Sequence, residues 1–198
     1  MSCMIHTIGV LAFHGDVLEH IEATEAAGKK LGITTRVIPV RTASALTEIR
    51  ALILPGGEST TLHKLCVREG MWETMKTVPY IFGTCAGAIM LATNIMHKAE
   101  GQATLERMHI TIDRNAYGRQ TDSFEEPLNT QLGEITAVYI RAPKILNIAS
   151  NVNILAKNGN EILACEEVNQ WGYNLAACFH PELTTTLFHE YFLNKIFT

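Results

Sequence analysis

Short apolar runs alternate with helical patterns along the first half of the chain. Strands are predicted at residues 7–13, 33–40, 51–54 and 79–82, and the first of these is apolar throughout, as a buried strand requires. Apolar side chains at helical spacing follow at 16–31, 44–49, 59–75 and 85–96, and Ser59 or Thr60 can cap the third helix. Strands separated by helices of this length predict a parallel sheet that is covered by helices on both faces. We therefore expect an α/β fold, a three-layer sandwich with a mostly parallel central sheet.

The second half of the chain is richer in strand patterns. These lie at residues 108–113, 137–141, 152–156, 161–166 and 174–179, and a C-terminal helix is expected at 183–197. Residues 115–132 are polar and rich in turn formers, which predicts a long loop. Neither a repeat nor an interdomain linker is evident, so residues 1–198 are expected to form a single domain.

Charge and cysteine content exclude several classes of protein. The formal net charge is −4 and no basic block stands out, which argues against nucleic acid as the main ligand. The five cysteines form neither a C-x-x-C pair nor a zinc-ligand spacing, so reduced thiols are expected rather than a disulfide scaffold or a metal site. No secretory signal pattern and no apolar run of about 20 residues is present, which predicts a soluble, cytoplasmic protein without membrane contact.

One cysteine lies in a setting that favours nucleophilic chemistry. Gly83-Thr84-Cys85-Ala86-Gly87 places a G-x-C-x-G motif between a predicted strand and a predicted helix. This is the cysteine counterpart of the nucleophile elbow, in which small neighbours let strand and helix approach closely. A helix N-terminus also favours the thiolate. A buried core cysteine is the alternative, and it is the default reading for Cys3, Cys66, Cys165 and Cys178.

A candidate base lies near the C-terminus, in Phe179-His180-Pro181-Glu182. In an extended segment, residues i and i+2 point to the same side, so the Glu182 carboxylate can orient the His180 imidazole. Pro181 restricts the residue before it to an extended conformation. A surface His-Glu pair is the alternative, and the context of the G-x-C-x-G elbow favours the catalytic reading. The other seven histidines show no comparable pattern and are expected to have surface or core roles.

A third segment can supply backbone donors. Pro55-Gly56-Gly57 follows a predicted strand, and consecutive glycines let N–H groups face a ligand without an intervening Cβ. Such donors can stabilise the oxyanion of acyl transfer. A tight strand–helix turn would use glycine equally well, so this segment alone is weak evidence.

Taken together, these segments resemble the triad (class I) glutamine amidotransferases, whose fold is flavodoxin-like. The closer resemblance is to the glutaminase subunits of pyridoxal 5′-phosphate synthase. The motifs occur in that family's order and extend over nearly the whole chain. They are P-G-G-E-S-T-T at 55–61, G-T-C-A-G at 83–87, R-N-x-x-G-R-Q-x-D-S-F at 114–124, I-R-A-P at 140–143 and F-H-P-E-L at 179–183.

The resemblance implies specific roles for individual residues. Cys85, His180 and Glu182 match the family's triad. Backbone amides near Gly57 and Ala86 would hold the oxyanion, and Arg119 is treated as structural. The residues that match the glutamine-contacting positions are Gly57, Glu58, Ser59, Arg114, Ile140 and Arg141. A guanidinium suits the α-carboxylate of free glutamine.

One position departs from the family pattern. Phe13-His14-Gly15 stands where the family usually has Leu-Gln-Gly. His14 either preserves a polar contact near the oxyanion region or alters how the site is activated. The catalytic assignment does not depend on it.

The implied activity is hydrolysis of L-glutamine to L-glutamate and ammonia, without a metal or an organic cofactor. The implied partner is the (β/α)8-barrel subunit of pyridoxal 5′-phosphate synthase, which would receive the ammonia. The alternatives are a Cys-His hydrolase such as a γ-glutamyl hydrolase, an amidotransferase of another pathway, and a non-catalytic regulatory partner. The I-R-A-P and R-N-x-x-G-R-Q motifs argue against the first two, and an intact triad argues against the third.

Overall fold

The parallel part of the sheet contains five strands. The computed structural model describes residues 6–114 and 123–197. Within it the strands run in the order β2-β1-β3-β4-β12, and each is parallel to its neighbour. They are β1 (His6–Leu11), β2 (Thr35–Val40), β3 (Ala51–Leu54), β4 (Tyr80–Thr84) and β12 (Gly172–Ala177).

Helices cover both faces of this parallel part. They are α1 (Val17–Leu31), α2 (Ala43–Leu46), α3 (Ser59–Arg68), α4 (Trp72–Met75), α5 (Ala86–Leu91) and α6 (Leu187–Phe197). Successive side chains of a strand point to opposite faces. In β3, Ala51 and Ile53 accordingly join the core formed with α1 and α6, whereas Leu52 and Leu54 join the core formed with α2 to α5. The expected three-layer α/β sandwich is confirmed.

Beyond β12 the sheet becomes mixed. Strand β11 (Glu161–Asn169) pairs antiparallel with β12, and two branches extend from it. One branch contains β10, β7 and β8, and the other contains β9, β6 and β5. Their bounds are β5 (Ala92–Met96), β6 (Met108–Asp113), β7 (Phe124–Thr130), β8 (Gly133–Tyr139), β9 (Lys144–Ile148) and β10 (Asn153–Asn158).

Two of the predicted helices differ most from those expected. The helix predicted over 59–75 is interrupted, since Gly70 has a φ of 65° between α3 and α4. The prediction that a helix runs from Cys85 to Met96 was wrong. Helix α5 ends at Leu91, and the next five residues form β5, which pairs in parallel with β6. That pairing joins residues distant in sequence, so the local pattern did not reveal it.

The region from 123 to 148 differs most from the sequence interpretation. The loop predicted over 115–132 contains β7, which forms an antiparallel hairpin with β8; residues 115–122 lie outside the described part. Strand β9 was not predicted. At the C-terminus, Pro181–Leu183 forms a 3-10 turn before α6 begins at Leu187.

The parallel strands determine where a site can form. Loops at the carboxyl ends of β1, β3, β4 and β12 hold Asp16, Gly57, Cys85 and His180 respectively. In open α/β sheets this edge is where ligands bind. No helix among residues 6–114 and 123–197 is long and apolar enough to cross a membrane.

Candidate active site

Cys85 lies on a strained turn between β4 and α5. Its φ is 48° and its ψ is −105°, a conformation that non-glycine residues rarely adopt. A Cβ on Gly83 would overlap the backbone of Gly87, and a Cβ on Gly87 would overlap the backbone carbonyl of Leu54. Both glycines of the G-x-C-x-G motif are therefore required for this close approach.

His180 contacts Glu182 as predicted, but the local geometry differs. The separation of His180 Nδ1 and Glu182 Oε1 is 2.8 Å, and both side chains are almost fully buried. The expectation of an extended segment was wrong, because Pro181 begins a 3-10 turn. The turn folds the carboxylate back onto the imidazole, so the contact forms without strand geometry.

A second carboxylate also contacts the imidazole of His180. Asp16 Oδ2 lies 3.0 Å from Nδ1, and the Asp16 side chain is 31% exposed. Two carboxylate acceptors on one ring nitrogen require that Nδ1 carry the proton. Nε2 is buried and has no hydrogen-bond partner among the described residues. Nε2 is thus left able to accept a proton, and the ring also interacts with Cys85.

The two groups shift each other's ionisation. Burial works to lower the pKa of His180, but its interactions with Asp16, Cys85 and Glu182 raise it well above its ordinary value. Burial works to raise the pKa of Glu182, but interactions with His20 and His180 hold it well below its ordinary range. The carboxylate is therefore ionised at neutral pH, which is the state that orients a histidine.

The residues behind Glu182 were not recognised from the sequence. His20 Nε2 lies 3.4 Å from Glu182 Oε1 and 3.0 Å from Thr84 Oγ1. His20 Nδ1 lies 3.0 Å from His189 Nε2. The expectation of a surface or core role for these histidines missed this polar network. The spacing of four between Asp16 and His20, one helical turn, was the available signal.

The loop after β3 packs directly against the base. A Cβ on Gly56 would overlap the His180 ring, and a Cβ on Gly57, which has a φ of 126°, would overlap the His14 ring. His14 Nε2 is buried without a hydrogen-bond partner among the described residues. The predicted helix cap was wrong: Glu58, rather than Ser59 or Thr60, accepts hydrogen bonds from the first turn of α3.

Glu58 also positions Arg114. Arg114 Nη2 donates to Glu58 Oε1 at 2.9 Å, and Nη1 donates to Gln102 Oε1 at 2.9 Å. Gln102 in turn donates to Ser59 Oγ at 2.9 Å. The guanidinium is therefore held in a fixed orientation at the edge of the cavity.

A single cavity of about 690 Å³ brings most of the predicted residues together. Glu182 lies behind His180, and Ala86 begins α5 beneath the cysteine. Arg119 lies outside the described residues. The predicted residues that line the cavity are Gly57, Glu58, Ser59, Cys85, Arg114, Ile140, Arg141 and His180, joined by His14, Gly15, Asp16, Ile89 and Ser123.

Backbone donors are available beside the thiol, with one exception. The N–H of Cys85 donates to the carbonyl of Ala177 at 2.8 Å, so it is already engaged. Ala86 is the first residue of α5, and the N–H groups of the first helical turn have no acceptor within the helix. The thiol itself lies 3.7 Å from the carbonyl of Ile140.

Within residues 6–114 and 123–197, one cluster has ligand atoms close enough to hold a metal ion. Ligand atoms of Asp16, His180 and Glu182 lie within 4.8 Å of one another. The two carboxylates already contact Nδ1 of His180 directly, so we assign the cluster to histidine orientation.

The other described cysteines are core residues: burial raises the pKa of Cys66 and of Cys165 to about 12, and Cys178 is fully buried.

Comparison with known proteins gives consistent matches. The SNO glutamine amidotransferase family profile matches residues 10–198. The pyridoxal 5′-phosphate synthase subunit PdxT of Pyrococcus furiosus is 43% identical over 197 residues, covering 96% of this chain and 98% of that protein. The PdxT of Methanosarcina barkeri is 42% identical over 200 residues, with the same coverage. A crystal structure of a glutamine amidotransferase superposes with a TM-score of 0.83 at 39% identity, covering 96% of this chain and 99% of the other.

Proposed function

Because this chain belongs to the SNO glutamine amidotransferase family, we propose that it hydrolyses L-glutamine to L-glutamate and ammonia through Cys85, His180 and Glu182. The observation that carries this proposal is the fixed state of His180. Two carboxylates hold the proton on Nδ1, and the unpartnered Nε2 lies on the side of the thiol. That arrangement is the one a cysteine nucleophile requires of its base.

The proposed reaction begins at the thiol of Cys85. His180 Nε2 takes the thiol proton, and the thiolate attacks the side-chain amide carbon of glutamine. The N–H groups of Gly57 and Ala86 stabilise the oxyanion of the tetrahedral intermediate. His180 then protonates the departing ammonia, which leaves a glutamyl thioester. Water, deprotonated by the same histidine, cleaves the thioester and releases glutamate and the free thiol.

We assign recognition of the substrate to the charged residues that line the cavity together with Cys85 and His180. Arg114 and Arg141 both line it, and a guanidinium binds a carboxylate with two parallel hydrogen bonds. Arg114 is held by Glu58, whose negative charge also suits the α-ammonium group of a free amino acid. Ser59, Gly57 and Ile140 complete the proposed glutamine-contacting wall.

The fate of the ammonia defines the proposed partner. Similarity to PdxT subunits supports a role as the glutaminase subunit of a pyridoxal 5′-phosphate synthase. We assign the (β/α)8-barrel subunit of that synthase as the acceptor, and the cytoplasm, where thiols stay reduced, as the compartment. Residues 1–198 are assigned to one glutaminase domain.

Ammonia release from glutamine tests the proposal. We expect turnover by the wild type, stimulated by the barrel subunit, and none above background by Cys85→Ala. Cys66→Ala is the matched control, because Cys66 is buried in the core away from the cavity. Turnover that persists in Cys85→Ala would refute the mechanism. Turnover that the barrel subunit does not stimulate would refute the assigned partner while leaving the glutaminase activity in place.

A further inference from the structure

A line of buried polar side chains continues from the triad into the protein interior. It runs from Glu182 to His20 on α1 and then to His189 on α6, with Thr84 at the end of β4 beside it. His20, Thr84 and His189 are all fully buried. Burying a polar group costs free energy unless the group is hydrogen-bonded, so the protons of these side chains must be placed where each one meets an acceptor.

The arrangement of protons along this line follows from the contacts. Burial lowers the pKa of His189 to about 3, so its ring is neutral and carries one proton. His189 Nδ1 is buried without a partner among the described residues, whereas Nε2 faces His20. An unpaired buried N–H donor is costly, and we therefore place the proton on Nε2, where it is donated to His20 Nδ1.

This assignment determines which ring nitrogen of His20 carries the proton. Because Nδ1 of His20 accepts from His189, the proton of His20 lies on Nε2. That N–H faces Thr84 Oγ1 at 3.0 Å and the Glu182 carboxylate at 3.4 Å. The opposite arrangement would turn a bare nitrogen lone pair toward an anionic oxygen and leave His189 with an unpaired donor.

We propose that His20 is a positioning residue, whose Nε2–H, fixed by His189, holds the Glu182 carboxylate in the orientation that it presents to His180. The inference rests on the proposed glutaminase function. In this arrangement Glu182 Oε1 accepts from both His20 and His180, which restricts rotation of the carboxylate. The Oε2 atom has no partner among the described residues, so the two imidazoles supply the restraint.

Several charged or titratable groups surround this line. His180 faces Glu182 from the loop after β12, and Asp16 faces His180 from the start of α1. Cys85 faces His180 from the elbow, and His189 approaches from α6. Glu19, Glu22 and Lys30 of α1 line a surface hollow that also reaches Glu182.

Two amide substitutions separate the proposed role from simple packing. His20→Gln places an amide donor near the position of Nε2, whereas His20→Asn places one near Nδ1 and removes the donor to Glu182. We expect kcat to fall about 10- to 100-fold in His20→Asn, with little change in KM, and to fall no more than about 3-fold in His20→Gln. Thr84→Val keeps the shape of Thr84 and is expected to resemble His20→Gln.

The pH profile of kcat/KM provides a second readout. Without the donor from His20, the pKa of Glu182 rises, so this carboxylate becomes protonated at a higher pH. As the pH is lowered, His20→Asn should therefore lose activity at a higher pH than the wild type does. A purely structural defect would lower activity by the same factor at every pH. An unshifted acid limb in His20→Asn, or equal losses in His20→Asn and His20→Gln, would overturn the proposal.

Imidazole ¹⁵N spectra of the full wild-type chain test it without reference to activity or to the folding of any variant. We expect a proton on Nε2 of His20, on Nε2 of His189 and on Nδ1 of His180 at neutral pH. An unprotonated His20 Nε2 would refute the inference. Because these spectra do not require glutamine turnover, they stay decisive even if Cys85→Ala disproves the glutaminase mechanism.

Discussion

Backbone packing fixes the position of Cys85 in the candidate active site, whereas side-chain hydrogen bonds fix the position of His180. At the elbow, Gly83 and Gly87 let α5 approach β3 and β4 so closely that no Cβ fits. At the base, His180 is held by Glu182 and Asp16. The two parts should therefore respond to different substitutions. The elbow is sensitive to added side-chain volume and to backbone conformation, whereas His180 is sensitive to the charge of its partners and to the position of its proton.

Loss of the buried carboxylate should give the largest effect. Glu182→Gln removes the charge that fixes the proton on Nδ1 of His180, and we expect kcat to fall by about 10³-fold. Steady-state glutaminase assays with the partner subunit present measure this loss, and circular dichroism checks that the fold is retained. A variant that keeps a tenth or more of wild-type kcat would show that Glu182 does not orient the base.

Added volume should break the elbow. Gly87→Ala would drive a Cβ into the backbone carbonyl of Leu54, and we expect the free energy of unfolding to fall by about 3 kcal/mol. The control is Gly32→Ala at the end of α1, where the backbone is left-handed but the surrounding space is open, with an expected cost of about 1 kcal/mol. Urea denaturation measures both, and equal costs would contradict the packing argument.

The partly exposed carboxylate should matter less than the buried one. Asp16→Asn removes a charge that raises the pKa of His180, so we expect activity to fall about 10-fold and the limb of the pH profile due to His180 to move to lower pH. The profile of kcat/KM against pH measures this shift. If Asp16→Asn lowered activity as much as Glu182→Gln, the ranking of the two acceptors would be wrong.

Acid stability should report on the loop after β3, where Glu58 caps α3 and accepts from Arg114. Burial works to raise the pKa of Glu58, but hydrogen bonds from Thr61 and Thr60 lower it from 4.5 to about 2. Its stabilisation is therefore present above pH 4.5 and is lost as pH falls toward 2. We expect Glu58→Gln to be about 1 kcal/mol less stable at pH 7, since half-exposed charges are screened, with the difference vanishing near pH 2.

Thermal or urea unfolding of both proteins between pH 2 and pH 7 checks this window. A difference that does not narrow as the pH falls would mean that Glu58 stabilises the loop through packing rather than through its charge.

Relief of strain at Cys85 should give the smallest effect. Glycine accepts a φ of 48° more readily than alanine, so Cys85→Gly is expected to be about 1 kcal/mol more stable than Cys85→Ala, although both lack the nucleophile. Urea denaturation of the two inactive variants makes this comparison. Greater stability of the alanine variant would show that the turn is not strained.

Much of the parallel half was predictable because its signals are local. Strand β3 begins and ends at the predicted residues, and the G-x-C-x-G motif identified the elbow with its glycine requirement. In the other half, β5, β7 and β9 were missed. Strand β9 pairs with β6 rather than with either strand next to it in the chain, and β5 pairs in parallel with β6, whereas β7 forms a local hairpin with β8 despite its polar sequence. In each case the pairing overrides weak local preference.

The sequence alone determined the residues on which the proposed chemistry rests: a cysteine on an elbow, an H-P-E segment, a double-glycine loop and two arginines in family-specific motifs. Only the tertiary structure decided which groups surround the base. His20 and His189 are 169 positions apart, and apart from the spacing of four between Asp16 and His20 no sequence pattern marks either residue. They meet because α1 and α6 pack on the same face of the sheet, where burial makes each polar contact with Glu182 strong.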